Sequence, residues 1–259
     1  MSKVKGFIDS RRMRNAVCGL QGVPTVLFPP NMDAYGINED FESIEGLAAA
    51  ANLAATKTNW AFFIVVAGTI VQLNLAGGVA RLGVPATDED SAQIILGSTA
   101  AAGSFFPAAG KDIWFEARIR AGLLTVPATA NYFIGLVTPA AAAILAAAGG
   151  ALPNDCMGFV KRDQALEVNW SFVGRKGAVE DANPLGIVVD NAWHYFGFYV
   201  NGVTSVTVYY DRVAIAAGAL ATANISVGGL MPCVAIRTGD PAPAADTIDV
   251  DYVMCVQLR

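Results

Sequence analysis

The sequence predicts an all-β fold, an antiparallel sandwich preceded by an extended N-terminal arm. Two observations carry this expectation. From Trp60 onward, thirteen short runs rich in β-branched and aromatic residues are bounded by Gly, Pro, Asn and Asp, beginning with AFFIVV and TIVQLNL and closing with MPCVAIR and TIDVDYVMCVQL. Within several of these runs apolar and polar residues alternate, the period-2 signature of a strand with one face in a core.

Residues 1–55 lack that alternation and carry turn signals at Val23-Pro24, Pro29-Pro30 and Tyr35-Gly36. They read as an arm ending in a short helix around Phe41 to Ala55, where apolar and alanine positions recur at helical spacing. Residues 56–259 form the predicted sandwich. In DIWFEARIR, Ile113, Phe115, Ala117 and Ile119 make the core side, so Trp114, Glu116, Arg118 and Arg120 point away from it. In WHYFGFYV, Phe196, Phe198 and Val200 align on one side and Trp193, Tyr195 and Tyr199 on the other. Asn201-Gly202 and Asp211-Arg212 then turn the chain through two consecutive hairpins. The stretch Ala140 to Gly150 fits either a helical turn or a loop.

Composition narrows the function. Of the 259 residues 54% are hydrophobic and 15% charged, against a usual charged share of ~25%. Alanine-rich clusters such as AAAANLAAT and PAAAAILAAAGGA on so sparsely charged a surface suggest a large subunit contact, and a homo-dimer or homo-trimer is expected. The net charge of −5 argues against a nucleic-acid surface. The most apolar run, WAFFIVVAGTIVQLNL, is interrupted by Gly68, Thr69, Gln72 and Asn74, so no membrane span is expected. The basic start lacks the apolar core of a secretory leader, which points to synthesis in a cytoplasm. Cys18, Cys156, Cys233 and Cys255 have no CxxC spacing and read as free, buried thiols.

Catalytic patterns are thin. Ser-His-Asp chemistry would need His194, the single histidine, and no GxSxG accompanies it; at a strand start on the Phe196 side, His194 reads as a structural residue. Gly77-Gly78, Gly149-Gly150 and Gly228-Gly229 are followed by no Lys-Ser/Thr and read as turns rather than phosphate cradles. Asp249 and Asp251 share a strand face and are the best candidates for a paired-acid or calcium role, a minor reading. No cofactor, metal or catalytic residue is assigned.

The order FEARIR, WHYFGFYVNGVTSVTVYYDRVAIA, DTIDVDYVMCVQ resembles the concanavalin A-like jelly-roll superfamily of laminin G-type domains and laminarinase-like β-glucanases, over residues 60–259. The resemblance implies a jelly-roll sandwich. It also implies where a glucanase would carry its acids, on alternate residues of one strand, because retaining hydrolysis needs two carboxyl groups about 5–5.5 Å apart. The nearest match is LEVNWSF, where Glu167 is present but Asn169 and Ser171 stand at the other two positions. An enzyme is therefore not expected. Trp193, Tyr195, Tyr199, Tyr209 and Tyr210 fit core packing, a protein interface, or stacking on sugars as a lectin would use them.

The layout is also similar to jelly-roll virion proteins of tailed bacteriophages, the decoration or cement type, through the fragments FFPAAGKDIWFEARIRA and DTIDVDYVMCVQLR and the basic arm. That likeness implies a virion protein on the capsid surface. Its partner would be the major capsid protein, met by Lys3, Lys5, Arg11, Arg12 and Arg14 of the arm, and the lattice would be stabilised by binding only its assembled form. The alternative reading is a lectin-like head or tail module that binds a surface glycan through Trp193, Tyr195 and Tyr199; a laminarinase-like glycanase ranks below both.

Overall fold

In the computed structural model of the chain, the apolar runs pair as strands. The structure describes residues 34–41, 60–65, 67–73, 78–87, 89–97, 103–122, 130–139, 143–145, 152–163, 168–177, 179–239 and 245–259. Fifteen strands occupy them: β1 (Ala34–Glu39), β2 (Trp60–Val65), β3 (Thr69–Leu73), β4 (Val79–Val84), β5 (Ser91–Leu96), β6 (Ile113–Gly122), β7 (Ala130–Val137), β8 (Cys156–Lys161), β9 (Asn169–Lys176), β10 (Val179–Val188), β11 (His194–Asn201), β12 (Ser205–Tyr210), β13 (Val213–Ile215), β14 (Met231–Thr238) and β15 (Asp246–Leu258). The first sheet runs β13-β12-β11-β6-β15-β4-β3, with β1 also on β15; the second runs β10-β9-β8-β7-β14-β5-β2. Every pairing is antiparallel.

The alternation read from the sequence holds on β6 and β11. Ile113, Phe115, Ala117 and Ile119 are all fully buried, as are Phe198 and Val200. Between the sheets they meet the inward residues of β8 and β9. Phe159 packs edge-on against Phe196 and Phe172, each at 5.1 Å, Phe172 edge-on against Phe198 at 5.3 Å, and Trp170 against Phe196 at 4.9 Å. Edge-to-face geometry at these separations adds to area burial because the positive ring edge meets the negative ring face. Cys156, Cys233 and Cys255 are buried free thiols. Cys18 lies outside the described residues.

Two strands depart from the sequence expectation. Residues 34–39 were expected in a strandless arm, yet they form β1 along the second half of β15, from Ala34↔Leu258 to Glu39↔Val253. The Tyr35-Gly36 pair that reads as a turn is flat against β15, and any side chain at Gly36 would collide with the Cys255 carbonyl. β4 is not among the thirteen runs that the sequence marks: VARLGV sits between a glycine pair and Pro85, but Ala80, Leu82 and Val84 face the core. The predicted helix at 41–55 lies outside the described residues except for Phe41, whose φ of 51° is left-handed. Asn201 ends β11, and Gly202 alone supplies the left-handed residue there, at φ 55°.

In the loop between β7 and β8, Ile144 and Leu145 are buried over the outer surface of the second sheet. The Ile144 N–H donates to Gln93 Oε1 at 2.8 Å, and Arg237 Nη1 donates to the Leu145 carbonyl at 2.7 Å. These contacts fall on β5 and β14, which are buried on both faces.

One polar link crosses the core. Tyr132 of β7 donates its hydroxyl to Asp246 at the start of β15, and Lys161 Nζ donates to the Ala130 carbonyl at 2.8 Å nearby. Burial pushes the Asp246 carboxyl up to about 6, against the lowering influence of the Tyr132 hydroxyl, the Thr247 N–H and Lys161.

Two outcomes test this packing. Phe159→Ala removes the ring that joins both sheets and is expected to destabilise by about 3–5 kcal/mol in urea unfolding; a loss under about 1 kcal/mol would contradict the packing. The native state of the wild type holds a proton on Asp246 that the unfolded chain releases, so its stability falls as pH rises from about 4 to about 6. Asp246→Asn lacks that titration. The stability of the variant relative to wild type should therefore climb by at most about 3 kcal/mol across that window. A difference that stays flat across the window refutes the assignment.

Candidate functional site

The outer face of the first sheet has a different chemistry. Alternation on β6 places Trp114, Glu116, Arg118 and Arg120 there, and register brings Tyr195 opposite Arg118, Gly197 opposite Glu116 and Tyr199 opposite Trp114. On the far side of β6 stand Tyr252, Met254 and Val256 of β15. The face divides into an apolar end and a charged end.

At the apolar end, Trp114 is buried with Ala34, Met254, Val256 and Leu258. Tyr209 packs on Trp114 at 5.1 Å and Tyr199 at 6.4 Å. Tyr199 donates to Asp112 Oδ2 at 2.6 Å, and burial followed by that carboxylate drives its hydroxyl pKa upward. Tyr199 is thus a packed ring with an engaged hydroxyl.

At the charged end, each carboxylate meets arginine. Asp249, 2% exposed, accepts from Arg81 Nε at 2.6 Å and Nη2 at 2.9 Å and from Arg120 Nε at 3.1 Å, with Arg120 Nη2 also in contact. Burial alone would raise its pKa, but the hydrogen bonds from Arg81 and Arg120 outweigh it and hold the carboxyl below its ordinary range. A bulge between Val250 and Tyr252 lets Asp251 reach Arg118 Nη1 at 2.7 Å. Buried Glu116 accepts from the Tyr252 hydroxyl and from Arg212 Nη2 at 3.3 Å.

Aromatic rings cap these guanidinium groups. Trp193, half-buried just before β11, has Arg118 at 5.0 Å and Arg120 at 5.2 Å from its ring centre. Tyr195 has Arg212 at 3.9 Å and Arg118 at 5.7 Å. Planar guanidinium on an aromatic face is a cation–π contact worth roughly 0.5–1 kcal/mol at exposed sites.

Arg212 reaches Glu116 from a strained turn. Asp211 and Arg212 have φ of 49° and 65°, both left-handed, where glycine would ordinarily sit. Asp211 is held by the Tyr195 N–H at 3.0 Å and by His194 Nδ1 at 2.8 Å, and His194 Nε2 meets Asp190 at 2.9 Å. Burial disfavours the imidazolium, but Asp211 and Asp190 prevail and raise its pKa. The ring also stacks on Tyr210 at 4.8 Å. His194 is a bracket for the turn, with both nitrogens committed.

The structure therefore brings Trp193 and Tyr195 together through Arg118 and puts Tyr199 apart on Trp114. Asp249 and Asp251 both reach this face, yet as arginine partners and not as an acid pair. Among the described residues no group of three or more His, Cys, Asp or Glu could hold a metal ion. Asn169 and Ser171 alternate with inward Trp170 and Phe172 on the second sheet, and Glu167 lies outside the described residues. So do Lys3, Lys5, Arg11, Arg12 and Arg14. Sequence reading missed Arg81, Arg118, Arg120 and Arg212 as site residues. The signal was the RIR spacing of β6 facing the DVD of β15.

No family model matches the chain, and no curated protein matches it. Solved structures do. A protein of unknown function from Shewanella oneidensis aligns with a TM-score of 0.57 at 13% identity, over 100% of this chain and 95% of that one. Peanut lectin aligns at 0.56 and 12%, over 88% and 99%. LamA from Z. galactanivorans, in complex with laminaritriose and laminaritetraose, aligns at 0.53 and 9%, over 86% and 97%. With its two antiparallel sheets and these likenesses, the chain has the jelly-roll sandwich fold that peanut lectin and other concanavalin A-like structures share.

Proposed function

We propose that this protein is a lectin-like carbohydrate-binding module. The observation that carries the reading is the half-buried Trp193 and Tyr195 on the outer face of the first sheet, beside the partly exposed guanidinium groups of Arg118 and Arg120. An aromatic face flanked by fixed donors is what a sugar ring requires, since its C–H face stacks and its hydroxyls accept. The likeness to peanut lectin and to the carbohydrate recognition domain of Emp47p, at a TM-score of 0.52 for the latter, supports the same class.

Hydrolysis is the weaker reading. It needs a carboxyl group protonated before the leaving group departs, and each of Glu116, Asp249 and Asp251 receives an arginine. The decoration-protein reading rests on the basic arm, which lies outside the described residues, and on the fragments FFPAAGKDIWFEARIRA and DTIDVDYVMCVQLR; no solved structure named above is a virion protein.

On a glycan array the full chain should retain specific sugars, and Trp193→Ala should lose at least about tenfold in affinity, the equivalent of roughly 1.4 kcal/mol, while its melting temperature falls by no more than the few degrees that two lost cation–π contacts predict. Absence of any wild-type signal on the array would reject the module.

A further inference from the structure

The charged end of the face has more donors than the protein uses. A guanidinium carries five N–H groups. Asp249 takes Nε and Nη2 from both Arg81 and Arg120, and Asp251 takes Nη1 from Arg118. The Nη1 groups of Arg81 and Arg120 and the Nη2 of Arg118 have no acceptor among the described residues, while their side chains stand 35%, 30% and 35% exposed respectively. Arg118 Nε and Arg212 Nε are buried without an acceptor.

The donors are also held in place. Arg118 and Arg120 alternate on one strand, about 7 Å apart along it. Their planes are fixed on one side by Asp251 and Asp249 and on the other by the Trp193 ring. Pre-set guanidinium forks bind planar anionic groups bidentately, and the strand repeat offers two such forks in line beside an aromatic platform. Four guanidinium groups stand here against the three carboxylates of Glu116, Asp249 and Asp251, and neutral sugar hydroxyls have no need of that cationic excess.

Resting on the carbohydrate reading above, we infer that the ligand of this face is an acidic saccharide. Its carboxylate or sulfate groups would be received by Arg81, Arg118 and Arg120 while a ring stacks at Trp193. Carboxylate and sulfate share the chemistry of a multi-oxygen anion, so the source is a matter for measurement. The binding is electrostatic in part and weakens with salt.

The test is calorimetric titration of the full chain with four probes: an oligogalacturonide for carboxylate, a carrageenan oligosaccharide for sulfate, laminaritetraose as a neutral sugar, and polyglutamate as an anion without sugar. One or both acidic sugars should bind at least about tenfold more tightly than laminaritetraose. Arg118→Gln and Trp193→Ala should each weaken that binding by about tenfold or more, and Arg118→Lys should recover only part of it, with every variant still folded and unfolding cooperatively well above the temperature of the titration. If laminaritetraose binds as well as the acidic sugars and is lost with Trp193→Ala, the acidic class is wrong and the lectin-like module stands. If no saccharide binds, both fall. Equal binding of polyglutamate, or acidic binding indifferent to Arg118→Gln, overturns the inference by itself.

Discussion

The strand β15 is the constraint on which the rest depends. One edge pairs with β6 along nearly its whole length, and the other is divided between β4, beside Asp246 to Val250, and β1, beside Val253 to Leu258. A strand saturated on both edges has no backbone group to offer elsewhere, so its side chains must satisfy two environments at once. Ile248, Val250, Val253 and Cys255 close the core, whereas Asp249, Tyr252 and Met254 furnish the outer face. The bulge between Val250 and Tyr252 is what keeps both assignments correct, because one extra residue restores the alternation after Asp251 has turned toward Arg118. Without it, Val253 and Cys255 would exchange faces with Tyr252 and Met254.

The same logic explains the strained turn. Left-handed backbone at Asp211 and Arg212 costs on the order of 1–2 kcal/mol per residue, and the cost is spread over contacts that only this geometry permits. Asp211 faces His194 and the Tyr195 amide, and Arg212 lies on the Tyr195 ring and reaches Glu116. The turn that ends β12 is thereby tied to β6 at the centre of the sheet, two strands away in the pairing order. Its partners orient Tyr195, so the hairpin and the aromatic platform stand or fall together.

Much of this was legible in the sequence. The period-2 pattern of DIWFEARIR and WHYFGFYV named the correct core residues and sent Trp114, Glu116, Trp193, Tyr195 and Tyr199 to the other face, because one face of each strand is apolar and register follows from that. β1 and β4 escaped because their pairing is decided by β15, a partner remote in sequence, while Gly36 and Gly83 carry no side chain to show it. The site was half visible. Rings on a strand announce their direction, but Arg81, Arg120 and Asp249 come from three separate strands, and only the sheet order makes them a cluster. Nor could alternation tell that Tyr199 is packed on Trp114 while Trp193 is left partly open, since burial on an outer face depends on what lies across it.

The pairing of acids with arginines also sets the charge state of the face. A carboxylate gripped by two guanidinium groups is stabilised as an anion, which removes it from proton donation at neutral pH. The guanidinium partners lose little by comparison, since each has N–H groups beyond those its carboxylate can accept. Ion pairing on this sheet therefore silences the acids and leaves the bases able to recognise. The orientation imposed by Trp193 and Tyr195 directs the guanidinium N–H groups that the carboxylates leave over. The fold does not fix that arrangement; it follows from which side chains the strand order brings to the exposed sheet.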